Sequence, residues 1–169
     1  MMMKTTINKN MAVIINGCAG SGKTTFVNLC NQIDSKVMNY SSVTYVKEVA
    51  RFCGWDGEKE DKDRKFLSDL KDVLTEWNDL PFKSIYKFVS ACKNKIIFID
   101  SREPYDIDRL KDRFNAITVY IQNDRIEPIV TNHADRDVGN YAYDYIIYNN
   151  GNIDSLKDSA KVFLEEVTR

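Results

Sequence analysis

Clustered metal-ligating side chains are missing from this sequence. It has a single histidine, His133, and its four cysteines, Cys18, Cys30, Cys53 and Cys92, are scattered with no C-x-x-C pair. Neither a zinc site nor a dithiol redox centre is therefore encoded by spacing, and the cysteines read as reduced thiols. No apolar run approaches the roughly 20 residues of a membrane span, and residues 1–10 lack the apolar segment of a secretory leader. A cytoplasmic setting with no membrane partner is the expectation. A charge excess is missing too: 24 Lys and Arg against 25 Asp and Glu give a net charge of -1. No global field draws the chain to nucleic acid, so anion binding has to be local. The guanine-reading N-K-x-D sequence is absent, because Asn8-Lys9 and Asn94-Lys95 are not followed by the required aspartate, which disfavours a GTP switch protein. Internal repeats and low-complexity tracts are absent as well.

What is present is an ordinary globular composition, 43% hydrophobic and 29% charged over 169 residues, which suits one domain with a sizeable core. The organising stretch is Gly17-Cys18-Ala19-Gly20-Ser21-Gly22-Lys23-Thr24, followed by Thr25, which satisfies G-x-x-x-x-G-K-[ST] at every fixed position. An apolar run at 11–15 suits a buried strand before it, and Phe26, Val27 and Leu29 begin a helical pattern after it. Strand, glycine loop and helix in that order place backbone N–H groups against a polyphosphate at a helix N-terminus. Lys23 would reach the β- and γ-phosphates, and the Thr24 hydroxyl would ligate Mg²⁺. ATP and Mg²⁺ are the expected cofactors.

The rest of the chain alternates. Residues 36–40 form a short second strand, and Ser41-Ser42 supply a cap for a helix through Val43, Val46, Val49, Ala50 and Cys53 that ends near Gly54. Trp55-Asp56-Gly57 marks a turn. The cleanest helical stripe follows, Phe66, Leu67, Leu70, Val73, Leu74 and Trp77, expected to face the core. Pro81 starts another helix through Ile85, Phe88 and Val89. Residues 95–100 make a third strand, apolar on both faces and ending on Asp100. A helix through Ile107, Leu110 and Phe114, a strand at 116–121, a strand at 145–148 and a helix from Ile153 to Val167 complete the series. Alternation of this kind predicts an α/β fold, a parallel sheet with helices on both faces and ligands beyond the carboxyl ends of the strands. Residues 122–140 between strands four and five are polar, hold Arg125, His133 and Arg136, and read as a lid or as a passive surface loop.

Asp100 would project at the carboxyl edge of the sheet, as a metal-linked carboxylate or as a capping aspartate. Arg102 stands at the same edge, to grip a phosphate or to pair with Glu103 on the surface. Residues 55–64 place Trp55, Asp56, Lys59, Lys62 and Arg64 together, either as a base-and-phosphate pocket or as the solvated start of a helix. Arg125 and Arg136 would bring positive charge to a transferring phosphoryl group on closure.

With those residues in view, the chain resembles the phage-type deoxynucleoside monophosphate kinases, a branch of the nucleoside and nucleotide kinases of the P-loop class. The similarity runs over nearly all of residues 11–167. It rests on the Gly17 to Thr24 loop, Ser41-Ser42-Val43 with Lys47, and Gly54-Trp55-Asp56-Gly57 followed by Lys59, Arg64 and Leu67. It rests also on Asp100-Ser101-Arg102-Glu103-Pro104, Asn132-His133-Ala134-Asp135, and Tyr143-Asp144-Tyr145-Ile146-Ile147 before Asn149-Asn150-Gly151. The resemblance implies a single three-layer P-loop kinase domain over residues 1–169, with a five-stranded parallel sheet in the order 2-3-1-4-5. It also implies a monophosphate-binding helical region at about 41–92 and a lid at about 122–140. Lys23, Thr24 and the loop would hold MgATP, with Thr24 and Asp100 on the metal. Ser41, Lys47, Trp55, Asp56, Lys59, Arg64 and Arg102 would serve the acceptor, and Lys23, Arg102, Arg125 and Arg136 the transfer itself. The implied activity moves the γ-phosphoryl group of ATP to a deoxynucleoside 5′-monophosphate. Another small-molecule or polynucleotide 5′-kinase, or a non-catalytic ATP-binding regulator, are the alternatives, and the amphipathic helices leave room for a homodimer.

Overall fold

Two apolar runs form the centre of the sheet. In the computed structural model, which describes residues 10–58, 60–127 and 138–169, β1 spans Met11–Asn16 and β3 spans Ile96–Asp100. Both are buried on both faces, with Val13, Ile14, Ile97, Phe98 and Ile99 fully shielded from solvent. β2 (Val37–Ser41), β4 (Ile117–Gln122) and β5 (Tyr145–Tyr148) complete a five-stranded sheet in the order β2-β3-β1-β4-β5. Every pairing is parallel, and the register sets Ile15 against Asp100 and Asn16 against Tyr120. All five carboxyl ends therefore emerge at one edge.

Six helices among the described residues cover the sheet: α1 (Lys23–Ile33), α2 (Thr44–Phe52), α3 (Asp61–Asn78), α4 (Leu80–Ala91), α5 (Pro104–Phe114) and α6 (Ile153–Val167). Alternation along the strands sorts the core into two. Val13, Ile15, Phe98 and Val119 meet α1 and α6, where Phe26, Phe98 and Phe163 pack ring to ring at 5.8–6.3 Å. Ala12, Ile14, Ile97 and Ile99 meet α4 and α5 through Ile85, Val89, Ile107 and Leu110. Each fully buried side chain of this size contributes about 1.5–3 kcal/mol. No helix among the described residues is long and apolar enough to cross a membrane.

Two local expectations are corrected. The Ser41-Ser42 cap does not form: Val43 occupies the N-cap of α2 and no side chain caps it. Ser41 belongs to β2, and the Ser42 N–H is held by the Asp100 carbonyl at 3.0 Å, so β-pairing takes the two serines that a helix cap would need. Nor does the whole apolar stripe of α3 face the core: Leu67, Leu70 and Leu74 are half-buried and the other three members are in solvent. Val73 and Trp77 are 59% and 77% exposed, Phe66 is exposed, and Asp63 is the buried residue of the helix. The reason is position: α3 packs on α2 and α4 and forms an outer layer with no sheet beneath it.

Polar links hold that layer. Lys71 of α3 reaches Glu103 at 2.7 Å and Asp106 at 2.9 Å at the start of α5. Burial alone would lower its pKa, but the Asp106 and Glu103 carboxylates outweigh that and raise it. Arg109 grips Asp79 between α3 and α4 and lies over the Phe82 ring.

The described end of the connection between β4 and β5, residues 138–144, lies against α5. Residues 128–137, with His133 and Arg136 of the expected lid, lie outside the described residues, as does Lys59. At its far end Val138 is buried, Tyr141 Oη donates to Asp108 at 2.7 Å, and Tyr143 stacks on Tyr120 at 5.0 Å. Asp144 accepts from the N–H and hydroxyl of Thr118, both at 2.8 Å. Burial pushes the Asp144 carboxyl up, but the Thr118 bonds and the Lys111 charge prevail and hold it below its ordinary 3.8. A depressed carboxyl stabilises the fold above its unfolded pKa, and that contribution is lost as pH falls through the folded value. Asp144→Ala should therefore cost about 1 kcal/mol near neutral pH, the small figure reflecting the partial exposure of the group. Thermal unfolding across pH checks this: the deficit should shrink once the pH falls below 3.8.

Candidate active site

The site grows out of the β1–α1 turn. Gly17, Gly20 and Gly22 have φ of +151°, +80° and +103°. A Cβ on Gly17 would lie 2.6 Å from Ser21 Oγ and 2.7 Å from the Ile121 carbonyl oxygen, so that position has no room for a side chain. Gly22 is the N-cap of α1 in the left-handed conformation, no side chain caps the helix, and its first turn carries no acidic residue. The leading N–H groups and the positive end of the helix dipole thus face the loop without a competing carboxylate. Lys23 folds across the loop, and its Nζ donates to the carbonyls of Gly17 at 2.5 Å and Cys18 at 3.0 Å. Thr24 and Thr25 follow on the exposed first turn of α1.

Buried Asn16 ties this loop to its surroundings. Its Oδ1 accepts from the Gly17 N–H at 2.8 Å, while its Nδ2 donates to the Arg102 carbonyl at 3.1 Å and to Tyr143 Oη at 2.8 Å. One side chain therefore joins the phosphate-binding loop, the β3–α5 turn and the segment leading into β5. Asn149 makes the link on the other side: its Nδ2 donates to the Ser21 carbonyl at 2.8 Å.

Asp100 ends β3 two residues beyond Phe98, so strand alternation puts its half-buried carboxylate on the α1 face. Among the described residues no three His, Cys, Asp or Glu side chains gather into a metal-binding group. Magnesium does not need one, since it takes one or two protein oxygens together with substrate phosphates and water. Thr24 at the head of α1 and Asp100 at the adjacent strand end fit that requirement.

The expected acceptor residues spread over β2, α2, α3 and the turn between the two helices. Ser41 lies beside Asp100 in register, and Lys47 on α2 and Arg64 on α3 are half-buried. Trp55 and Asp56 are engaged within their own turn: the indole N–H donates to the Glu58 carbonyl at 3.0 Å under the Arg51 guanidinium, and Asp56 accepts from the Glu58 N–H at 3.0 Å. Lys62 pairs with Glu60 at 3.2 Å on the surface, as the start of a solvated helix does. Arg125 is held at the 149–151 loop, its Nη2 donating to the carbonyls of Asn149 at 3.1 Å and Gly151 at 3.3 Å.

All four cysteines are free. Burial pushes the Cys30 thiol up to about 12, which leaves it inert. Cys18, in the loop, lies 3.8 Å from Tyr120 Oη, and burial followed by this contact raises the Tyr120 phenol to about 12.

Asn16 and Tyr143, which support the loop, were not among the expected site residues. A weak signal existed for Asn16, a polar residue closing a run of apolar ones immediately before the first loop glycine. Tyr143 and Asn149 entered only through the family resemblance, which gave neither a role in holding the loop.

No protein-family model matches the chain, and no curated protein matches it in sequence. Solved structures do. Shikimate kinase from Aquifex aeolicus vf5 superposes with a TM-score of 0.57 at 13% identity, covering 94% of this chain and 98% of its own. Shikimate kinase from Acinetobacter baumannii in complex with shikimate gives 0.56 at 13% identity, with 96% and 95% covered. A sugar kinase from Janibacter sp. HTCC2649 gives 0.51 at 15%, with 92% and 95% covered. Identities this low establish shared architecture, and together with the strand order and the loop geometry they show that the chain has the P-loop kinase fold.

Proposed function

We propose that the protein is an ATP-dependent phosphotransferase whose acceptor is a deoxynucleoside 5′-monophosphate, and that residues 1–169 act as one kinase domain with an acceptor region at 41–92 and a lid at 122–140. The observation that carries the reading is the uncapped N-terminus of α1 behind three positive-φ glycines, bonded through Asn16 to the turn that bears Arg102. Gly17 to Thr25 would cradle the donor triphosphate. Thr24 and Asp100 would hold Mg²⁺, which supplies charge neutralisation at the β- and γ-phosphates when bound. In the transfer, an acceptor phosphate oxygen forms the new bond to the γ-phosphorus as the bond to the β–γ bridging oxygen breaks, leaving ADP and a diphosphate. Lys23 and Arg102, with Arg136 from the lid, would neutralise the charge spread over the moving group. The choice of a deoxynucleotide acceptor rests on the sequence resemblance, and the cations Lys47, Arg64 and Arg102 along the acceptor region would meet its phosphate.

The structural likeness to shikimate and sugar kinases favours a second reading, a different small-molecule acceptor on the same scaffold. A coupled ADP-release assay over deoxynucleoside and ribonucleoside monophosphates, shikimate and sugars separates the two. ADP release that depends on a deoxynucleoside monophosphate is the expected result. Release with shikimate or a sugar alone would replace the proposed acceptor.

A further inference from the structure

The backbone N–H, the carbonyl and the side-chain amide of Asn149 each make a hydrogen bond at one crossing point. Its N–H donates to the Gln122 carbonyl at 2.7 Å and prolongs the β4–β5 ladder, and its carbonyl accepts from Arg125. Its Nδ2 donates to the carbonyl of buried Ser21, and a Cβ on Gly22 would meet that same Nδ2. The neighbouring contacts reinforce the crossing. Asn150 Oδ1 accepts from the Asp124 N–H at 2.9 Å, and its Nδ2 donates to Asp124 Oδ2 at 2.6 Å. Residues 123–125, at the start of the expected lid, are thereby fastened to the 149–151 loop, and that loop is fastened to Ser21-Gly22.

From this geometry we infer that Asn149 is a positioning residue for the donor triphosphate, and that Arg125 acts through it. This inference rests on the proposed ATP-binding role of the loop. The Asn149 amide holds the Ser21 carbonyl on its own side, and because the Ser21–Gly22 peptide is planar and trans, the Gly22 N–H is turned the opposite way, toward the cradle. Arg125 holds the backbone from which that amide projects. The requirement is chemical: position 149 needs a donor of this length. Aspartate has the same shape but offers only acceptors to a carbonyl oxygen.

The test compares the parent chain with Asn149→Asp, Asn149→Ala and Arg125→Lys. Calorimetry with Mg²⁺ and AMPPNP should show about tenfold weaker binding for Asn149→Asp, the equivalent of one hydrogen bond to a buried carbonyl, and a smaller loss for Arg125→Lys. KM for ATP should rise by a similar factor while kcat at saturating ATP stays within about twofold. Asn149→Ala, which removes the donor without adding charge, gives the same direction should the aspartate variant fold poorly. Amide exchange at Ser21 and Phe26, whose N–H groups donate to the Cys18 and Gly22 carbonyls at 3.1 and 2.9 Å, should quicken in the Asn149 variants of the nucleotide-free protein while exchange at Leu29 in the core is unchanged. Unaltered exchange at Ser21 and Phe26, or an effect on kcat with KM unmoved, would overturn the inference. Quickened exchange in the Asn149 variants, with a parent chain that itself binds no nucleotide, would count against the kinase reading alone.

Discussion

Lys23→Ala is expected to lower turnover by a factor of about 10²–10³, the cost of removing one preorganised charge donor from a transferring group, with little change in thermal stability. The structure separates the two effects. Lys23 opens α1, lies half-buried across the loop with bonds to the Gly17 and Cys18 carbonyls, and belongs to neither hydrophobic cluster. Alanine is favourable at a helical position, so α1 itself should not suffer. Lys23→Arg retains the charge but replaces a compact ammonium with a planar fork, and it should also be poorly active. Steady-state rates together with thermal melts check both variants. A Lys23→Ala protein turning over like its parent would remove Lys23 from the mechanism.

Asn16→Ala is expected to damage stability and activity together. Its side chain is fully buried and makes three hydrogen bonds, so truncation leaves the Gly17 N–H and the Arg102 carbonyl without this partner and opens a small cavity. Unsatisfied buried groups cost about 1–3 kcal/mol each, and a total of about 3 kcal/mol would lower Tm by about 6–12 °C in a domain of this size. Asn16→Asp keeps the shape but cannot donate to Arg102 or Tyr143, and it buries a charge. It should be no better than alanine. The kinetic signature is a rise in KM for both substrates, because one residue aligns the phosphate loop with the Arg102 turn. A variant that loses stability yet keeps both KM values would show that the loop holds its shape without Asn16.

The elements that were legible in the sequence are those whose signal is local. The runs at 11–16 and 96–100 are apolar on both faces because helices cover both sides of the sheet, and the glycine loop is legible because backbone conformation dictates its residues. Parallel alternation followed from the same pattern, and the strand order 2-3-1-4-5 came with the family resemblance. Periodicity failed at α3, where it reported an apolar stripe but could not say that the helix packs on two other helices and leaves Val73 and Trp77 in solvent. Capping failed at Ser41-Ser42 because pairing with β3, a contact nearly sixty residues distant in sequence, claims the same backbone. Asn16 and Asn149 escaped for a related reason. Their partners, Arg102, Tyr143 and Ser21, are brought near only by the sheet, and no short-range pattern records them.

Titration calorimetry of the parent chain and of Lys23→Ala with Mg²⁺ and AMPPNP, followed by a deoxynucleoside monophosphate, tests the account most directly. The account predicts two sites of unit stoichiometry in the parent, the first weakened severely by Lys23→Ala and the second largely kept. A folded parent chain that takes up the monophosphate but no adenine triphosphate analogue would contradict it.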